Sequence, residues 1–203
     1  MKKSLLKALS LFFVLGLMSG QSMASDDDIR LGRPGYGGNG CPAGSASATL
    51  SPDRKALSII FDEFMVEAGG STRRRVSRKS CNIAIPVHVP QGLSVSIIAV
   101  DYRGFNSLPR RASAKFSAEY FFAGRRGPKY QKTFKGPMDD DYTITNKLAV
   151  SAISWSRCGE DVNLRVNSSM MVRNSNRRTE ALSTVDSADF NAGLIYRLSW
   201  RRC

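Results

Sequence analysis

Arginine recurs in short clusters along this chain, at Arg73-Arg74-Arg75, Arg110-Arg111, Arg125-Arg126 and Arg177-Arg178, each within two residues of glycine, proline, serine or asparagine. Those neighbours favour turns. A guanidinium at a turn is solvated and free to grip a phosphate or carboxylate through two parallel N–H bonds. That is the chemistry of holding anions, so these residues are candidate contacts to an anionic surface. The competing reading is a charged loop face that keeps the protein soluble.

Residues that could make or break bonds are fewer. His88 is the one histidine, and most general-base catalysis at neutral pH relies on histidine. It sits on an alternating stretch between Pro86 and Pro90, which reads as a surface or structural position. No Gly-x-Ser-x-Gly elbow, HExxH helix or phosphate-binding glycine loop is present. Carboxylates that could pair occur at Asp62 and Glu63, Asp101, Glu160 and Asp161, and Asp186 and Asp189. Residues adjacent on a strand point to opposite faces, so Asp62 and Glu63 cannot form a glycosidase pair alone. Asp101-Tyr102-Arg103 is the one local cluster of acid, aromatic and guanidinium that could line a ligand pocket. The bland alternative is an Asp and Arg pair at a strand end with Tyr102 in the core. No catalytic residue is assigned and no cofactor is expected.

The cysteines are Cys41, Cys81, Cys158 and Cys203. All are far apart, which disfavours a zinc site built on Cys-x-x-Cys pairs, so no metal is expected. An even number in an exported chain reads as two disulfides. Three pairings are open; Cys41 with Cys81 and Cys158 with Cys203 is preferred, because each then closes a loop of about forty residues, worth on the order of 3 to 4 kcal/mol in the chain-entropy model.

Export is read from residues 1–24. Lys2, Lys3 and Lys7 precede the apolar run Ala8 to Met18, and Ser22-Met23-Ala24 offers small residues at both positions a signal peptidase reads. The apolar run is about half of the ~20 residues that span a bilayer. Cleavage near Ala24 would leave twenty-seven basic residues against seventeen acidic ones, where the full chain of 203 residues carries +13. Residues 25–40, Asp-rich and then Gly-rich, read as a flexible leader, and residues 41–203 as a single secreted or periplasmic β domain. Export and the lack of aromatics among the basic clusters make nucleic acid a poorer partner than an anionic glycan, lipopolysaccharide or the envelope surface.

The elements that must position these residues are strands. Cys81, Ile83, Ile85, Val87 and Val89 alternate with polar or small residues, and after Pro90-Gln91-Gly92 so do Leu93, Val95, Ile97 and Ala99. A period of two means strand, and the pair predicts a hairpin from Arg78 to Gly104. Pro86 and Pro90 make its first strand an edge or a bulged one. In such a hairpin Asp101 pairs back near Cys81, several residues from His88, which predicts no acid-base pair involving His88. Further strands are predicted at Ala56 to Val66, Ala112 to Phe122, Tyr130 to Phe134, Val162 to Val172 and Leu194 to Arg202, with Tyr142 to Trp155 extended. About eight to ten short strands without an amphipathic helix favour an all-β antiparallel β-sandwich, with a jelly roll or open barrel as the alternative.

Several of these stretches resemble a secreted family catalogued as domain of unknown function 4360. They are GGNGCPAGSASATLS at 37–51, RKSCNI at 78–83, VDYRGF at 100–105, WSRCGEDVNLRVNS at 155–168 and the ending LSWRRC. The resemblance implies an exported four-cysteine domain with no activity or catalytic residue to carry over. The excess arginine at 73–78, 110–111, 125–126 and 177–178 departs from it and points to a charge-dependent role of this member. The function expected is a non-catalytic binding or envelope-associated module for anionic surfaces or glycans, the alternative being a secreted carboxylate-based hydrolase of polysaccharide.

Overall fold

The computed structural model describes residues 30–50, 52, 56–122, 124–147, 155–185 and 194–203. Its strands are β1 (Arg30–Leu31), β2 (Gly35–Gly37), β3 (Ala46–Leu50), β4 (Ala56–Phe61), β5 (Met65–Gly69), β6 (Val76–His88), β7 (Leu93–Leu108), β8 (Ala112–Phe122), β9 (Lys129–Lys135), β10 (Met138–Lys147), β11 (Val162–Asn174), β12 (Glu180–Thr184) and β13 (Leu194–Arg202). A single 3-10 turn, Gly70–Thr72, links β5 to β6. No helix among the described residues is long and apolar enough to cross a membrane.

Two open antiparallel sheets result. The first has the order β1-β6-β11-β8-β9, with β2 also against β6; the second has β3-β4-β13-β7-β12-β5, with β10 on β7. Their apolar faces meet. Cys81, Ile83, Ile85 and Val87 of β6, Ala114, Phe116, Ala118 and Tyr120 of β8, and Leu164, Val166, Met170 and Val172 of β11 are buried. Tyr102 of β7 reaches across to rings on the other sheet, 4.7 Å from Phe116 and 5.9 Å from Tyr130. The expected β-sandwich is therefore the fold, and the disulfides are Cys41–Cys81 and Cys158–Cys203.

The predicted hairpin from Arg78 to Gly104 does not form. β6 and β7 belong to opposite sheets, and Pro90-Gln91-Gly92 is a corner between them, closed by the Leu93 N–H donating to the Pro90 carbonyl at 3.1 Å. Alternation is the same whether two apolar faces lie side by side or face each other, so the pattern alone does not separate hairpin from corner. β6 pairs instead with β11 over its whole length on one side, and only with the short β1 and β2 on the other. It is close to the edge strand that its prolines suggest.

Other elements were shifted or missed. The stretch Ala56 to Val66 is two strands, broken at Asp62-Glu63, with the Asp62 N–H bound to the Ser45 carbonyl and the Met65 N–H to that of Glu63. Within the segment expected to be a flexible leader, β1 and β2 pair with β6. The chain then runs alongside β6, where Asn39 Oδ1 accepts from the Ser80 N–H at 2.7 Å and the Gly40 N–H donates to the Ser80 carbonyl at 2.9 Å. Gly38, at φ 142°, lies so close that a Cβ would run into that same carbonyl. The glycines of GGNGC thus let the chain bond β6 at Ser80, next to the Cys41–Cys81 bridge. Of Tyr142 to Trp155, the first part belongs to β10, and residues 148–154 lie outside the described residues.

Candidate functional site

Register sorts the arginine clusters into two groups. Val76 at the start of β6 lies opposite Arg173, and the end of β11 lies opposite the start of β8, Asn174 facing Ala112. Three loops therefore share one end of the sandwich: residues 73–75 before β6, 109–111 before β8 and 175–179 after β11. The first and third are tied by backbone bonds from the Asn174 N–H to the Arg75 carbonyl at 2.8 Å and from the Gly70 N–H to the Thr179 carbonyl at 3.0 Å. Asn174, buried, donates its Nδ2 to the Thr179 carbonyl at 2.8 Å. Arg73, Arg74, Arg75, Arg110, Arg111, Arg177 and Arg178 are all exposed there, together with Arg173. None of these eight has a carboxylate at ion-pair distance among the described residues. Arg173 was not picked out from the sequence, where it read as one more polar position of a strand.

Arg125 and Arg126 lie at the opposite end, in the turn between β8 and β9. Arg125 Nη1 donates to the Trp155 carbonyl at 2.9 Å, and Arg201 stacks over the Trp155 ring, 4.5 Å from its centre. Arg125 and Arg201 thus hold Trp155 near the Cys158–Cys203 bridge. The nine candidate residues are not one surface.

Two of the loop arginines hold a left-handed backbone, Arg73 at φ 52° and Arg111 at φ 66°. Arg111 occupies the third position of a turn closed by the Ala112 N–H donating to the Pro109 carbonyl at 3.0 Å, a place that glycine or asparagine fills at less cost. The left-handed conformation costs a residue with a large side chain about 1 to 2 kcal/mol. Arg111→Asn is expected to raise stability by roughly 0.5 to 1 kcal/mol, read as a higher midpoint in urea with an unchanged slope. A lower midpoint would show that the Arg111 side chain stabilises the turn in its own right.

His88 corrects an expectation. Its Nδ1 lies 2.8 Å from Asp161 Oδ1, because β11 sets Val162 opposite Val87 and so carries Asp161 to the end of β6. The same oxygen accepts the Val89 N–H at 3.0 Å. The pair lines a hollow of about 280 Å³ with Arg30, Gly32, Pro86 and Asn163. A carboxylate on Nδ1 orients an imidazole for proton transfer at Nε2, but the pair is open to solvent, the side chains being 47% and 68% exposed. No serine, threonine or cysteine lines that hollow. What Asp161 does visibly is fasten the last residues of β6.

Asp101, Tyr102 and Arg103 do not share a face. Tyr102 is fully buried between the sheets, Asp101 is buried on the other side of β7, and Arg103 is exposed. Gly104, opposite Tyr142, leaves room for the Tyr142 hydroxyl to donate to the Thr184 carbonyl at 2.8 Å; a Cβ at 104 would meet both. Of the carboxylate candidates, Asp62 and Glu63 sit exposed in the break between β4 and β5, and Asp186 and Asp189 lie outside the described residues. Sequence reading missed Asp139 and Glu180. β10 sets Asp139 opposite Ser107, and β12 sets Leu182 opposite it on the other side with Glu180 two residues further along, so both acids line a shallow hollow of about 430 Å³.

A protein of Arthroderma benhamiae named "Uncharacterized secreted protein" is 30% identical over 185 residues, which are 91% of this chain and 76% of that one. The family model described as Domain of unknown function (DUF4360) matches residues 27–203, taking in both sheets and both disulfides. The chain belongs to that family.

Proposed function

We propose that this protein acts outside the cytoplasm as a non-catalytic binding or envelope-associated module that holds anionic polymers or surfaces through its arginine-rich end. One observation carries the reading. Three loops far apart in sequence and the end of β11 bring Arg73, Arg74, Arg75, Arg110, Arg111, Arg173, Arg177 and Arg178 to one end of the sandwich, each without a carboxylate partner among the described residues. Like charges gathered on one rigid end repel, and a bound polyanion relieves that repulsion while releasing its counterions. A location outside the cytoplasm is supported by the pattern of residues 1–24 and by the printed name of the Arthroderma relative.

Salt elution from immobilised heparin tests it. The wild-type chain should be retained and should elute steeply with salt. Arg73→Ser/Arg74→Ser/Arg75→Ser should lower the slope of log affinity against log salt by about 1 to 3, whereas Arg125→Ser/Arg126→Ser, at the other end, should change it little. Equal behaviour of the two variants would remove the arginine end as a binding surface.

The second reading, a secreted carboxylate-based hydrolase of polysaccharide, has the hollow between Asp139 and Glu180 in its favour. Release of reducing ends that disappears in both Asp139→Asn and Glu180→Gln would establish it.

A further inference from the structure

Many hydroxyls and carboxamides among the described residues bind the protein's own backbone. Asn39 binds Ser80 and Arg78, Asn174 binds Ala68 and Thr179, Ser156 binds Val95, and Thr184 binds Phe105. The outer face of the first sheet is different. Along one row across its strands Ser80 lies opposite Ser169, Ser169 opposite Ser117, and Ser117 opposite Gln131. The next row is Asn82, Asn167, Glu119 and Lys129. The small residues form a floor and the larger ones a wall, so a trough runs across four strands, about 14 Å at the ordinary strand spacing. The hollow holds about 370 Å³ and Arg78 closes its other side, with Nη2 donating to Ser169 Oγ at 3.1 Å. The side chains of Ser80, Asn82, Ser117, Gln131 and Asn167 have no hydrogen-bond partner among the described residues.

We infer that this trough binds a glycan, and that the polymer held by the arginine end is therefore an acidic polysaccharide. The second half rests on the reading of that end given above; the trough stands on its own chemistry. A sugar ring presents several hydroxyls that each donate and accept, and serine, asparagine and glutamine side chains answer both ways. Glu119, which pairs loosely with Lys129 at 3.8 Å, adds an acceptor. Tyr130, whose strand borders the lining, turns its ring inward against Tyr102 of the other sheet. A polyphosphate or a bare lipid phosphate would leave these neutral groups idle, and single-stranded nucleic acid wants exposed aromatic platforms, which the lining lacks. Charge connects the two sites. Arg78 lies two residues along β6 from Val76, about 7 Å, and Val76 faces Arg173 of the arginine end. An acid group on a sugar in the trough falls at Arg78, and the next units of the chain run towards the remaining arginines.

Binding of the full chain to polygalacturonate, which carries both hydroxyls and carboxylates, is compared with binding to polyphosphate, which carries only charge. Asn82→Ala/Asn167→Ala is expected to lose about tenfold in affinity for polygalacturonate and nothing for polyphosphate. Arg73→Ser/Arg74→Ser/Arg75→Ser should lose affinity for both. Gln131→Ala, on the edge strand β9 where folding is least at stake, should repeat the selective loss more weakly, and thermal melting checks that each variant is folded. If the asparagine and glutamine variants bind polygalacturonate as wild type does, the trough is overturned while the arginine end stands. If they lose it and the serine triplet loses neither polymer, the trough is supported and the arginine reading falls. Failure of the wild-type chain to bind polygalacturonate, alginate and heparin alike overturns the inference.

Discussion

Mild reduction should open Cys158–Cys203 first and leave Cys41–Cys81 intact, and loss of the second bridge should be the costlier. The two loops span 40 and 45 residues, so chain entropy assigns each bridge nearly the same stabilisation, about 4 kcal/mol. Burial separates them. Cys41 and Cys81 are fully enclosed in the core, beside Ser168, whose Oγ donates to the Cys81 carbonyl at 3.2 Å. Cys158 and Cys203 are exposed, at a chain end held otherwise by the Cys203 N–H bonding to the Gly92 carbonyl at 2.9 Å. A reductant reaches the latter pair without unfolding. Cys158→Ser/Cys203→Ser should cost about 2 to 4 kcal/mol, whereas Cys41→Ala/Cys81→Ala adds lost burial and a cavity, for about 4 to 6 kcal/mol. Timed alkylation followed by peptide mass spectrometry gives the order, and urea melts give the costs. Simultaneous appearance of all four thiols would show that the outer bridge opens only with the whole fold.

How much of this was legible in the chain depends on whether the signal is local. β8 and β13 have the bounds that alternation predicts, Ala112–Phe122 and Leu194–Arg202, because a strand's own period needs no partner to be seen. The inward set of β6 was equally plain. Partnership was not. Pro90-Gln91-Gly92 serves a corner as well as a hairpin, and what decides between them is that β11, some eighty residues later in sequence, covers the length of β6. The same register brings Asp161 to His88 and gathers Arg173, Arg177 and Arg178 beside Arg73, Arg74 and Arg75. Turn chemistry showed that the arginines sit at tips, but only the pairing shows that seven of the nine share an end. The short strands β1, β2 and β12 carry too few residues to show a period. Outward polar residues such as Asn82, Asn167 and Ser117 were visible one strand at a time, and they become a trough only when three ladders align them.

Tyr102→Ala is expected to destabilise the domain by about 3 to 5 kcal/mol, in the range of large aromatic deletions from a packed core, and so to separate a core role from a ligand role for VDYRGF. Tyr102 is fully enclosed, on the longest strand, β7, which is flanked by β13 along one edge and β10 along the other. Its ring contacts Phe116 and Tyr130 of the opposite sheet, so it is where the two sheets lock at mid-height. Removing the ring leaves a void that neither sheet can close, since each is held in register by its own ladder. At 2 to 4 °C per kcal/mol for a domain of this size, the melting temperature should fall by roughly 6 to 20 °C. Arg103→Ala, one residue on but exposed, should stay within about 0.5 kcal/mol of wild type. If the two variants instead melt alike and both lose affinity for an acidic glycan, then Tyr102 and Arg103 act together on a ligand, and the interior position of Tyr102 has to give way to one that opens on binding. A large fall for Tyr102→Ala alone, with glycan affinity per folded molecule unchanged, assigns the motif to the lock between the sheets and leaves recognition to the outer face of the first sheet and its arginine end.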